Sequence, residues 1–126
     1  MLPLYNTDFE VINNNLVRLR TPLVSDSLYH AIAKALSDVY ISGFMDDKDV
    51  DVFKWIERLS KISLEDISQT LKITIVIVNE DMKQIKRIDN GDKMIVLLEL
   101  PSHYEVIGII DNNHIRTVLI TDEITL

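Results

Sequence analysis

Two short stretches of this 126-residue sequence carry residue types that together could perform acyl transfer. The first is Ser25-Asp26-Ser27-Leu28-Tyr29-His30-Ala31-Ile32-Ala33-Lys34-Ala35-Leu36, where a polar turn runs straight into an apolar-periodic segment with the Ser27 hydroxyl in its first turn. Leu28, Ile32, Ala35, Leu36 and Val39 fall on one face at the 3.6-residue period, which predicts a packed helix whose N-terminus is held still. Unpaired N–H groups and the positive end of the dipole at such a terminus provide what an oxyanion hole requires. The second stretch is Leu100-Pro101-Ser102-His103-Tyr104-Glu105-Val106-Ile107, with a histidine and a carboxylate two residues apart. Positions two apart on a strand share a face, so Glu105 is expected to reach Nδ1 of His103 and orient the ring, with Tyr104 and Val106 facing the other way. Ser27 thus sits where a nucleophile would sit, and His103 with Glu105 forms a second pair of chemistry-bearing side chains.

Each of these residues also has a plainer role open to it. Serine is favoured at helix starts for its own hydrogen bond, and an exposed strand start can carry a His-x-Glu pair without chemistry. His30 is expected on the solvated helix face beside Lys34, and His114 in a turn. With three histidines, no cysteine and no metal-ligand spacing, neither a metal nor a cofactor is expected. The acidic run Asp46-Asp47-Lys48-Asp49 with Asp51 lacks the glycine and terminal glutamate of a calcium loop and suits a helix start.

The elements that must position the candidates follow from the pattern. Phe9 to Ile12 and Leu16 to Arg20, separated by Asn13-Asn14-Asn15, predict a hairpin or edge strand, ended by Thr21-Pro22. After the first helix, Ser42-Gly43 marks a stop, and Val50, Phe53, Ile56 and Leu59 form the stripe of a second helix near Trp55. Ser63-Leu64-Glu65-Asp66 reads as the cap of a short third helix burying Ile67 and Leu71. The period then changes. Ile73-Thr74-Ile75-Val76-Ile77-Val78 is a β-branched run suited to a strand covered on both faces, expected at the sheet centre between the strands containing 94–100 and 104–110. Residues 83–88 and 94–100 are expected to form a tight hairpin about Asn90-Gly91, and 104–110 and 115–120 a second one about Asp111-Asn112-Asn113. The predicted fold class is α+β, helices packed on a mainly antiparallel central sheet, in a single domain over 1–126.

Composition bounds the partners. A hydrophobic share of 47% and a charged share of 26% are ordinary for a soluble protein, with no run long enough for a membrane span. A net charge of −7 with dispersed Lys and Arg disfavours binding to nucleic acid. The densest basic group, Lys83 to Arg87, reads as a solvated strand edge. No basic region followed by an apolar core opens the chain, so an intracellular location is expected.

Asp26-Ser27-Leu28-Tyr29-His30-Ala31-Ile32, the apolar run at 71–80 and His103-Tyr104-Glu105-Val106 together resemble the ovarian tumour (OTU) family of cysteine proteases, which cleave ubiquitin from conjugates. The resemblance spans about residues 20 to 110. It implies a papain-type fold, a partner that is ubiquitin or a ubiquitin-like protein, and a catalytic set of Ser27, His103 and Glu105 with Asp26 beside the nucleophile. It also implies a cytoplasmic setting and a compact domain like those of viral or bacterial relatives, with this chain part of a larger polyprotein if the source is viral. Three positions depart from the family pattern. Ser27 replaces the cysteine, and Val24 and Ser25 replace the Asp and Gly of the loop that shapes the oxyanion hole. A cysteine ionises near ~8.5 and lower beside His⁺, whereas a serine hydroxyl must lose its proton during attack. The resemblance therefore implies either a deubiquitinase that is weak or inactive, or a non-catalytic OTU-like module that binds ubiquitin or another protein.

Overall fold

The computed structural model describes residues 2–3, 9–21, 23, 25, 27–36, 58, 60–112 and 114–124. The helix expected over 46–59, apart from Arg58, lies outside the described residues, as do Val24, Asp26 and Val39. Among the described residues nine strands build one mixed sheet: β1 (Leu2–Pro3), β2 (Phe9–Asn13), β3 (Leu16–Leu19), β4 (Thr74–Val78), β5 (Gln84–Ile88), β6 (Lys93–Glu99), β7 (Tyr104–Asp111), β8 (His114–Arg116) and β9 (Leu119–Ile120). Two helices, α1 (Ser27–Leu36) and α2 (Leu64–Leu71), accompany it among the described residues, so the architecture is richer in sheet than the sequence pattern implied. Among the described residues only the β4–β6 pairing is parallel.

The lack of polar alternation in β4 and β6 is explained by two cores, one on each face of the sheet. Ile75, Ile77, Ile95, Leu97 and Val106 meet Ala31, Ile32 and Leu36 of α1. Val76, Val78, Val96, Leu98, Ile107 and Ile109 point the other way, where Ile12, Leu16 and Met82 cover them. Burying both sets drives the assembly, at about 25 cal/mol per Å² of apolar surface. α2 begins at Ser63, whose Oγ accepts the Asp66 N–H at 3.1 Å, and buries Ile67; Leu71 is half-buried.

The order of strands differs from expectation at β4 to β6. β4 is an inner strand, but its neighbours are β5 and β6, and β7 pairs with β6 instead. β5 and β6 form no hairpin, because β4 lies between them and the 89–92 connection passes over the end of β4. There Thr74 Oγ1 donates to Gly91 O at 3.0 Å, and Asn90 Nδ2 donates to Ser68 Oγ at 2.8 Å. Gly91 is needed for closeness and not for a left-handed backbone: its φ is not positive, and an added Cβ would stand 2.0 Å from the Lys72 carbonyl oxygen. β5 ends the strand order, which suits its basic, exposed residues. The β2–β3 and β7–β8 hairpins form, turning through Asn14 and Asn112 at positive φ, but the arm expected over 115–120 ends at Arg116, and β9 pairs with β6 instead.

Candidate hydrolytic site

The site is built where β7 outruns its neighbour. β3 pairs with β7 only as far as Leu19 opposite Val106, and the chain then leaves the sheet. His103 O turns toward β6 and accepts Leu100 N–H at 2.9 Å, so the next residue, Tyr104, turns its N–H and C=O to the side that β3 has vacated. A buried backbone group left there without a partner would be costly. Two hydroxyls take the place of the missing strand: Tyr104 N–H donates to Ser27 Oγ at 3.0 Å, and Thr21 Oγ1 donates to Tyr104 O. Ser27 is the first residue of α1 and only 3% exposed. The packed face of α1 therefore delivers Ser27 to the start of β7, across 77 residues of sequence.

The imidazole of His103 is held at both nitrogens. Nε2 is 3.2 Å from Glu105 Oε2, and Nδ1 is 3.2 Å from Ser102 Oγ. The carboxylate thus meets Nε2 and not the expected Nδ1. Two residues along a strand span about 6.6 Å, and the outer ring nitrogen is the one that closes such a gap. A carboxylate can only accept, so Nε2 is the nitrogen that donates in this contact, and Nδ1 faces the Ser102 hydroxyl.

Glu105 is 3% exposed. Its Oε1 lies 2.8 Å from Arg18 Nε, with the N–H directed off the line to the oxygen, so the contact is a charge pair more than a directed hydrogen bond. Glu10 Oε2 stands 3.9 Å from the same nitrogen. Glu105 shares its strand parity with Ile107 and Ile109, and Arg18 shares its own with Leu16, all on the sheet face opposite α1. Ser27 comes from the α1 side. The structure therefore brings His103 and Glu105 together and seats Ser27 on the backbone of the adjacent residue. Among the described residues no hydrogen bond joins Ser27 directly to His103. Asp26 lies outside the described residues, and Ser25 is exposed.

Tyr104 donates its phenol to Glu99 Oε1 at 2.8 Å. Burial first, and the Glu99 carboxylate second, push that phenol up to about 12. Beside it, at the adjacent C-terminal ends of β4 and β6, a cavity of about 470 Å³ is lined by Asn79, Glu80, Asp81, Glu99, Leu100 and Pro101. Arg18 and Thr21 escaped the reading of sequence. Arg18 sits in the alternation Leu16-Val17-Arg18-Leu19-Arg20 like any solvated strand residue, and Thr21 signals only the break before Pro22.

Fold and site define a class, a mixed sheet with a helix-borne serine set against a strand-borne His-x-Glu pair. No protein-family model matches the sequence, and no curated protein does. Among solved structures, the chain is similar to an ovarian tumour (OTU) domain in complex with ubiquitin, at 21% identity and a TM-score of 0.48, over 86% of this chain and 77% of that one. It is also similar to the viral OTU domain protease from Farallon virus, at 12% identity and a TM-score of 0.39, over 82% of this chain and 98% of that one. Both likenesses lie below the level at which activity passes from one chain to another, and what this chain can do is read from its own residues.

Proposed function

We propose that this chain is an OTU-like domain directed at ubiquitin or a ubiquitin-like protein, with Ser27 at the nucleophile position making hydrolysis of the isopeptide bond weak or absent. The observation that carries the proposal is the 3.0 Å hydrogen bond from Tyr104 N–H to Ser27 Oγ, which joins the two chemistry-bearing stretches next to His103. In the reaction proposed, His103 turns Nδ1 from Ser102 to Ser27 and takes the hydroxyl proton as Oγ attacks the carbonyl carbon. Glu105 keeps Nε2–H in place and stabilises the imidazolium. The imidazolium then gives its proton to the departing amine, leaving an acyl-serine that water cleaves by the same route. Tyr104 N–H, already on Oγ, stabilises charge on that atom and also makes a neutral hydroxyl a poorer nucleophile.

The second reading, a non-catalytic module that binds ubiquitin or another protein, draws support from the closed state of the groups. Ser27 is 3% exposed, and both His103 nitrogens are engaged by other side chains. Ser27→Cys separates the two. With a ubiquitin C-terminal thioester or amide as substrate, the variant is expected to gain about three decades in rate, about 4 kcal/mol at ~1.4 per decade. The gain should disappear when His103→Ala is added. Binding of ubiquitin by Ser27→Cys without turnover leaves the module, and neither binding nor cleavage overturns both ubiquitin-based functions.

A further inference from the structure

We infer that Arg18 is a positioning residue of this site: it keeps Glu105 a buried carboxylate, so that Glu105 holds Nε2–H of His103 and leaves Nδ1 bare as the base. The inference rests on the proposed roles of His103 and Glu105.

An ionised carboxylate that is 3% exposed persists only if its charge is compensated. The residue opposite Glu105 on β6 is Leu98, and the next residue on the same face of β7 is Ile107, so the sheet supplies no compensation there. The cations on Glu105 among the described residues are His103, at 3.2 Å from Oε2 when protonated, and Arg18, at 2.8 Å from Oε1. The two oxygens are thus divided between them. With Arg18 in place, Glu105 needs no second positive charge, and the imidazole can stay neutral with its lone pair on Nδ1. Without Arg18, the buried carboxylate draws a proton onto the His103–Glu105 pair, and an imidazolium has no lone pair with which to take a proton from Ser27.

Arg18 is itself steered from the hairpin. Glu10, directly opposite it on β2, comes to 3.9 Å, and a cavity of about 220 Å³ lined by Glu10, Val11, Ile12, Arg18, Glu80, Met82 and Leu98 adjoins the guanidinium. The acidic groups around Arg18 from the packed elements are therefore Glu10, Glu80 and Glu105. Of these, the buried Glu105 has by far the larger need of its charge, because Glu10 and Glu80 are exposed.

The test is the ring ¹⁵N signature of His103 in the full chain at fixed neutral pH, which separates a bare from a protonated Nδ1 without ubiquitin or turnover. Wild type is expected to show Nε2 protonated and Nδ1 bare. Arg18→Met, which keeps much of the side-chain bulk and removes the charge, should lose the bare-Nδ1 signal several-fold, and Arg18→Lys should retain it. An unchanged signature in folded Arg18→Met overturns the inference. Where Arg18→Met does not fold, Arg18→Met with Glu105→Gln must fold, since the unpaired carboxylate is then gone. Failure of that double variant makes Arg18 a structural residue and also overturns the inference. A signature that responds as expected, beside a Ser27→Cys variant with no ubiquitin activity, leaves the Arg18–Glu105–His103 arrangement standing and removes only the ubiquitin reading.

Discussion

Ser27→Ala tests whether the hydroxyl completes the sheet. The substitution removes the acceptor of Tyr104 N–H at a residue that is 3% exposed, so water has poor access to replace it. Leaving a buried donor unpaired costs about 1–3 kcal/mol, and the lost oxygen leaves a void smaller than a methyl group, which adds little. The start of α1 is held by its packed face, Ala31, Ile32 and Leu36, which the substitution leaves in place. A loss of about 1.5 kcal/mol, divided by a urea slope of about 1.5 kcal/mol per M for a domain of this size, lowers the unfolding midpoint by about 1 M. The damage is also local. Hydrogen exchange at the Tyr104 amide should quicken about tenfold beyond the global change, while amides in the middle of β6 follow the global change alone. Coincident urea curves with unaltered exchange at Tyr104 would refute the reasoning, and would mean that the hydroxyl is not committed to the backbone.

Gly91→Ala should be costly for a different reason, since its Cβ would stand 2.0 Å from the Lys72 carbonyl oxygen and a backbone must move; a loss of about 2–3 kcal/mol in urea unfolding is expected, and a neutral outcome would show that the 89–92 connection does not lie against Lys72. Tyr104 gives a pH dependence whose sign is fixed by its raised phenol, about 12 in the folded chain against ~10 when unfolded. The unfolded chain loses this proton first, so the stabilisation is complete below about pH 10 and is lost as pH rises toward 12. Tyr104→Phe should show a shallower fall in urea midpoint over that interval, and parallel curves for the two proteins would contradict the burial assigned to the phenol.

The parts of this molecule that local chemistry dictates were legible in the sequence. Ser63 with Asp66 marks a cap, the β-branched run at 73–78 marks a strand with both faces covered, and Asn14 and Asn112 mark hairpin turns. The pairing of β4 with β6 was not legible, because Asn90-Gly91 is the usual signature of a tight hairpin and nothing local says that another strand lies between its arms. The glycine there answers to the Lys72 carbonyl, a contact across 19 residues that no spacing rule encodes. The candidate site divides in the same way. The proximity of His103 and Glu105 follows from strand alternation, but the nitrogen engaged does not. Arg18 was hidden because its burial partner, Glu105, is brought to it by the β3–β7 pairing across 87 residues.

That pairing also explains why structure and chemistry meet at Ser27. β3 stops two residues short of covering Tyr104, and the hydroxyls of Thr21 and Ser27 complete what the strand leaves open. A hydroxyl so held has spent one lone pair on Tyr104 N–H and keeps the other. In the neutral state this hydrogen bond serves the fold and lowers the nucleophilicity of oxygen; in an anionic state it becomes charge-assisted and stronger. A thiolate would profit from the same donor without having to be made during attack. Ser27→Ala and Ser27→Cys therefore probe one N–H from two sides. Loss of stability in the first together with a gain of turnover in the second is the expected combination. A stability loss with no gain would leave the N–H as a piece of the sheet alone, with Ser27 the residue that completes the ladder.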